Sequence, residues 1–141
     1  MRHSLFYVIP LTILPLIVFN IAAFSWGYGV WDRQFLALTM VSGQRWVMSI
    51  GDLMVLGGIV CLFFEVLRST SASSRAIVNH TLSTLVFVIY LIEFIVVDRT
   101  AHSVFFILML IALFDTISGF WITVKTARRD FDVVHPQEQH L

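Results

Sequence analysis

The sequence predicts an all-α membrane protein, an antiparallel bundle of four transmembrane helices with a short interfacial β-hairpin or compact loop between helices 1 and 2. Of its 141 residues, 58% are hydrophobic and only 13% are charged, whereas soluble domains average about 25% charged residues. The apolar residues form four continuous runs, each close to the roughly 20 residues that cross a bilayer as a helix. A transmembrane barrel would instead show alternating apolar and polar residues. The composition therefore excludes a soluble enzyme and a disordered chain.

The four runs predict one transmembrane domain over residues 1–127, with helices at about 5–25, 50–67, 77–97 and 101–124 and an outer loop over 26–49. Residues 128–141 are predicted to be a polar cytoplasmic tail. Pro10 and Pro15 predict a kink in helix 1, because each removes a backbone donor. The apolar core of helix 1 exceeds the about 7–15 residues of a cleavable signal, so we expect a retained anchor. The short turn Asp98–Thr100 predicts that helices 3 and 4 are antiparallel neighbours.

The basic residues predict the orientation in the membrane. With the N-terminus inside, the inner segments contain more Lys and Arg than the outer segments, which is the bias of cytoplasmic loops. We therefore expect an integral protein of a bacterial inner membrane with both termini in the cytoplasm. The inner set is Arg2, Arg68, Arg75, Lys125, Arg128 and Arg129, and the outer set is Arg33, Arg45 and Arg99.

Aromatic residues mark the outer loop, and Trp and Tyr favour the membrane–water interface. β-Branched and aromatic residues on both sides of Ser42–Gly43 predict a hairpin or compact loop over the outer face of the bundle. The alternative extends helix 2 back to Trp46. The basic cluster after helix 4 is expected to contact anionic lipid headgroups. The predicted interfacial anchors are Trp26, Tyr28, Trp31, Trp46, Lys125, Arg128 and Arg129.

The start of helix 2 carries a capping pattern. Ser49 and Asp52 match the S-x-x-D box, in which each side chain bonds to the backbone N–H of the other residue. An acid in the first turn also interacts favourably with the helix dipole. The alternative interpretation is that Asp52 is an outer acid that works together with Glu93.

Helix 3 carries a polar stripe that we expect to face the bundle interior or another protomer. On helix 4, Asp115 lies inside the apolar run, and His80 on helix 3 is its candidate partner at the same depth. Such a pair would hold the two helices together by a hydrogen bond, bind a proton or form part of a ligand site. The candidate intramembrane polar site comprises Glu93, Asp115, His80, Asn79, Ser83 and Tyr90.

Helix 2 carries a further acid, Glu65, which an ion pair with Arg68 three residues later explains. Gly51, Gly58 and Glu65 share one helix face, and Gly57 and Gly58 predict close helix approach. The rise of about 1.5 Å per residue predicts two polar layers with a mostly apolar middle. The outer layer contains Asn20, Asp52 and Glu93, and the inner layer contains Glu65, His80 and Asp115.

We predict no catalytic residue, no cofactor and no metal site. The sequence has no phosphate-binding loop, no G-x-G-x-x-G, no H-E-x-x-H and no nucleophile elbow. The single cysteine, Cys61, excludes a C-x-x-C motif. A formal net charge of zero offers no basic surface for nucleic acid.

Three functions remain as hypotheses. The first is a non-enzymatic structural or interaction protein, such as a subunit, assembly factor or homo-oligomer, whose partners are the bilayer and another membrane protein or a second copy. The alternative is a small oligomeric transporter or channel for protons or small ions, in which Glu93 and Asp115 act with His80. A weaker alternative is a lipid- or quinone-binding protein with a pocket under the outer loop.

Overall fold

The computed structural model describes residues 9–69 and 75–134, and within them the fold is mainly helical. The helices are α1 (Ile13–Trp26), α2 (Ile50–Ser69), α3 (Arg75–Val96) and α4 (Ser103–Val134). Strands β1 (Gln34–Thr39) and β2 (Arg45–Ser49) lie between α1 and α2, and short 3₁₀ turns cover Tyr28–Val30 and Asp98–Thr100.

Three of the four helices are long and apolar enough to cross a bilayer, which indicates an integral membrane protein. The candidate spans are Ile50–Arg68, Val78–Val96 and Ser103–Ile122. Helix α1 is apolar but has 14 residues, or about 21 Å, against about 30 Å of hydrocarbon. A bundle of four full spans is therefore not established by the described residues.

The start of α1 differs from the prediction. Residues 5–8 lie outside the described part, and Ile9–Thr12 do not continue the helix but form a turn, in which the Ile13 N–H donates to the Pro10 carbonyl at 3.2 Å. Pro15 lies in the first helical turn, where its missing N–H is not needed. The two prolines therefore mark the beginning of the helix and do not kink it in the middle.

The predicted hairpin is confirmed, and the alternative that extends helix 2 back to Trp46 is wrong. Strands β1 and β2 pair antiparallel, with Leu38 opposite Trp46 and Ala37 opposite Val47. The Met40 N–H donates to the Gln44 carbonyl at 2.8 Å, and Gly43 has φ +82°. A glycine favours this left-handed conformation at the end of a three-residue hairpin loop.

Glycines let α2 approach α4 closely. A Cβ atom added at Gly58 would lie 2.7 Å from Leu108 Cδ2, and one added at Gly51 would lie 2.6 Å from Val104 Cγ2. A Cβ atom at Gly57 would meet no atom within 4 Å. The expectation of a close approach therefore holds for Gly58, whereas Gly57 faces open space on another side of the helix.

An aromatic cluster joins α1 to α3 and α4. The Phe19 ring stacks on Trp31 with centroids 4.4 Å apart and meets the edge of Phe105 at 4.8 Å. Tyr90 of α3 lies 5.2 Å from the same Phe105 ring. Trp31 was expected at the interface, but it is 2% exposed. It belongs to the core because the 3₁₀ turn before it folds the chain back over the end of α1.

The far end of α4 also differs from the prediction. The helix continues to Val134, so residues 128–134, expected as a polar tail, have a helical backbone. Residues 135–141 lie outside the described part. Lys125 is exposed, as an anchor would be. The backbone of Arg128 and Arg129 belongs to α4, but their side chains are outside the described part.

We predict that Gly58→Leu lowers the free energy of unfolding, whereas Gly57→Leu does not. The larger side chain at position 58 must displace Leu108, and overpacking of this kind costs about 1–3 kcal/mol. The measurement is unfolding of each purified variant in detergent micelles at increasing mole fractions of sodium dodecyl sulfate, followed by circular dichroism. Equal unfolding midpoints for the two variants would contradict the packing of α2 on α4.

Candidate functional site

Most of the polar side chains singled out in the sequence form two groups, one at the start of α1 and one near its middle. We call the group near the start of α1 the Glu65 cluster. It comprises Thr12, Glu65, Arg68, Asn79, Ser83, Tyr90 and Asp115. The second group is the Asn20–Glu93 pair, which lies further along α1 toward the hairpin.

Glu65 is fully buried, and its carboxylate accepts hydrogen bonds from three parts of the chain. Its Oε2 accepts from the Leu11 backbone N–H at 2.8 Å, and its Oε1 accepts from Asn79 Nδ2 at 2.6 Å. Arg68 forms an ion pair with it at 2.9 Å. The ion pair on α2 is thus one part of a larger arrangement, which also holds α3 and the turn before α1.

Arg68 extends this arrangement to the remaining backbone of the turn. Its Nη2 donates to the Ile9 carbonyl at 2.7 Å and to Asn79 Oδ1 at 3.2 Å. One face of the turn therefore presents an N–H to a carboxylate and a carbonyl to a guanidinium. Charged partners make stronger hydrogen bonds than neutral ones, so both backbone groups have strong partners.

Asp115 bonds to the same turn from the α4 side. Its Oδ2 accepts from Thr12 Oγ1 at 3.1 Å, and Ser83 hydrogen-bonds to the same carboxylate. The Tyr90 hydroxyl donates to the Thr12 carbonyl at 3.3 Å. Asp115, Ser83 and Tyr90 are all buried. The polar stripe of α3 therefore faces the bundle interior, where it contacts α1 and α4.

His80 is not the partner of Asp115 in the structure. Thr12 and Ser83 hydrogen-bond to the Asp115 carboxylate. The His80 ring instead lies against Gly119, where an added Cβ would be 2.8 Å from Nδ1. The centroid of the same ring is 6.2 Å from that of Phe120. Its Nδ1 has no hydrogen-bond partner among the described residues. Matching depth on adjacent helices was therefore not sufficient for pairing, because Thr12 of the turn before α1 and Ser83 of α3 bond to the carboxylate instead.

The second polar group pairs α1 with α3. Asn20 Nδ2 donates to Glu93 Oε2 at 2.7 Å and to the Leu16 carbonyl at 3.1 Å. Asp52 does not join Glu93. Its Oδ2 accepts from the Ser49 N–H at 2.8 Å, and its own N–H donates to Ser49 Oγ at 3.0 Å. Ser49 and Asp52 thus form the reciprocal capping box at the start of α2.

The aromatic anchors differ from one another in their surroundings. Trp26, Tyr28 and Trp46 are exposed, whereas Trp31 is buried. The Tyr28 hydroxyl donates to the Ala101 carbonyl, and its ring meets the edge of His102 with centroids 5.2 Å apart. Tyr28 therefore links the end of α1 to the beginning of α4 and is more than a membrane anchor.

A cleft between α1 and α2 lies away from these acids. It has a volume of about 530 Å³ and lies between α1 and α2 under the hairpin, lined mainly by apolar side chains. None of Glu65, Glu93 and Asp115 lines it. Among the side chains that the structure describes, no three of His, Cys, Asp or Glu form a group that could hold a metal ion.

No known family model, curated protein or solved structure matches this chain. The roles of its polar residues therefore follow from their contacts. Two of these contacts were missed at the sequence level, namely those of Thr12 and Leu11. The available signal was Pro10, which prevents a regular helix over this turn and so leaves polar backbone groups in need of partners.

We predict that Glu65→Gln destabilises the protein far more than Glu93→Gln. A glutamine at position 65 removes the countercharge of Arg68 and can accept at only one of its two terminal atoms, so we expect a loss of about 3 kcal/mol or more. Position 93 needs one acceptor for Asn20, which glutamine keeps. The measurement is the unfolding midpoint in mixed micelles, and equal losses would contradict the central position of Glu65.

Proposed function

We propose that this chain is a non-enzymatic interaction protein, a subunit or assembly factor that binds another membrane protein through its hairpin. The observation that carries the proposal is the apolar face of the hairpin. Alternate residues of paired strands point to the same side, so Leu36, Leu38, Trp46 and Met48 share one face. The first three are 40–48% exposed.

Neither water nor hydrocarbon is a suitable environment for this face. Its exposed apolar side chains are unfavourable in water, and such patches mark contact sites. The hydrocarbon interior is also unsuitable, because each strand of a two-stranded ribbon has an outer edge of unpaired backbone groups, and open edges do not occur there. A partner protein that covers the apolar face shields its side chains from water. A strand of the same partner that pairs with one edge of the hairpin bonds to the unpaired backbone groups there.

A second copy alone is a weaker candidate for this partner. Face-to-face packing of two hairpins covers an area of roughly 20 Å by 10 Å, far below the about 800 Å² that each partner buries in a stable complex. A different protein that combines face contact with edge pairing buries more surface. With the predicted orientation, this partner presents its binding surface on the outer side of a bacterial inner membrane.

The acids of the bundle do not favour the transporter alternative. Asp115 is bonded to Thr12 and Ser83, Glu65 to Arg68 and Asn79, and Glu93 to Asn20. A transported ion or proton needs acids that line a pathway, whereas the cleft between α1 and α2 is lined by other residues. These acids are better explained as groups that hold the helices together.

We predict that Leu38→Lys abolishes partner binding, whereas Thr39→Lys on the opposite face does not. A charge in the apolar face must be desolvated on binding, which is costly without a paired charge. The measurement is photocrosslinking in the membrane from a photoreactive residue at position 36. The tagged chain is then purified, the crosslinked protein is identified, and its amount per tagged chain is measured.

Circular dichroism of both variants serves as the folding control. A single protein that crosslinks to the wild type and to Thr39→Lys, but not to Leu38→Lys, supports the proposal. Crosslinks to lipid alone, crosslinks only to a second copy, or the same protein captured by all three forms would contradict it.

A further inference from the structure

The cleft between α1 and α2 has the size of a ligand-binding site. Leu14 and Val18 of α1 form one wall, and Leu53 and Met54 of α2 form the other. Its volume of about 530 Å³ lies within the roughly 300–1,000 Å³ of ligand sites. Three of its lining side chains, Leu14, Val18 and Leu53, are 40–51% exposed, so the cleft is open to the outside of the bundle.

The length of the cleft matches one leaflet of a bilayer. On α1 its lining extends from Leu14 to Trp26, and on α2 from Cys61 back to Ile50. Twelve residues of helix span about 18 Å, and one leaflet contributes about 15 Å of hydrocarbon. An extended acyl chain in this cleft therefore ends at the level of the headgroups on the hairpin side.

Gly57 keeps the middle of the cleft open. It lines the cleft, and a Cβ atom built on it meets nothing within 4 Å. Gly58, the next residue, is instead packed against Leu108. The open space at Gly57 is thus a property of this side of α2, and a larger side chain there would enter the cleft without disturbing the contact with α4.

The headgroup end of the cleft carries a positive charge. Arg33 lines it, is exposed, and has no hydrogen bond or ion pair from its guanidinium to any residue of the described ranges. Two acids at this end of the molecule contact other residues, since Asp32 Oδ1 lies 3.6 Å from His102 Nε2 and Asp52 accepts from the Ser49 N–H. A planar guanidinium suits the phosphate of a lipid, to which it donates two parallel hydrogen bonds.

We propose that this cleft is a binding site for one anionic phospholipid of the leaflet on the hairpin side. One acyl chain lies between α1 and α2 over Gly57, and the phosphate binds Arg33. Trp26 lies at the same end of the cleft, at the depth where indole rings favour the interface. The charge at the mouth distinguishes this lipid from a neutral one, and the open middle distinguishes the site from the rest of the lipid-exposed surface.

The test is native mass spectrometry of the purified full chain with phosphatidylglycerol or phosphatidylcholine of the same acyl composition. We expect one phosphatidylglycerol to be retained at a concentration about tenfold lower than phosphatidylcholine, because the choline cation of the latter cancels the phosphate charge and is repelled by Arg33. Arg33→Gln abolishes this preference, whereas Arg45→Gln, a matched loss of charge on the hairpin, keeps it.

Gly57→Leu tests the acyl-chain part of the site. It weakens binding of the first lipid of either class, whereas Leu56→Phe, which adds bulk at an exposed neighbour that does not line the cleft, leaves it unchanged. The proposal is overturned if Arg33→Gln retains the preference, if Gly57→Leu binds as the wild type does, or if several lipids bind without a distinct first one. Displacement of phosphatidylglycerol by an equimolar neutral quinone would also overturn it.

Discussion

The structure depends on how the turn at Ile9–Thr12 is accommodated among the helices. A stretch of non-helical backbone exposes N–H and C=O groups that cannot be left unpaired away from water. The Glu65 cluster supplies their partners, with a carboxylate for the Leu11 N–H, a guanidinium for the Ile9 carbonyl and a phenol for the Thr12 carbonyl. A fully buried glutamate is costly, and here its position is explained by the backbone that it satisfies.

This arrangement also determines where α1 lies. The helix is held at its beginning by the Glu65 cluster, in its middle by the Asn20–Glu93 pair, and at its end by Arg99, which donates to the Ala23 carbonyl at 3.2 Å. Both later contacts come from α3 or the turn after it, and the Phe19 ring packs on Phe105 of α4. These contacts hold one side of α1 against α3 and α4, and another side of α1, with Leu14 and Val18, borders the cleft that it shares with α2.

The sequence predicted what depends on local pattern and missed what depends on distant contacts. Continuous apolar runs located α2, α3 and α4, the Ser42–Gly43 turn located the hairpin, and the spacing of Ser49 and Asp52 indicated the cap. The start of α1 could not be placed, because its partners lie 54 and 103 residues away along the chain. Likewise, the pairing of His80 with Asp115 was inferred from depth alone, while the competing hydroxyl of Thr12 lay in a segment expected to belong to a kinked helix 1.

The hairpin and the cleft are physically connected at the end of the hairpin. The Arg33 carbonyl accepts from the Ile50 N–H at 2.9 Å, and the Trp31 carbonyl accepts from the Gly51 N–H at 2.9 Å. The residues at the mouth of the cleft are therefore bonded to the first turn of α2, directly beside the base of β1 and β2. Because Arg33 directly precedes β1, we expect a partner that shifts the hairpin to shift Arg33 as well. If both sites are occupied, their binding free energies are linked, and the effect of each ligand on the affinity for the other must be equal.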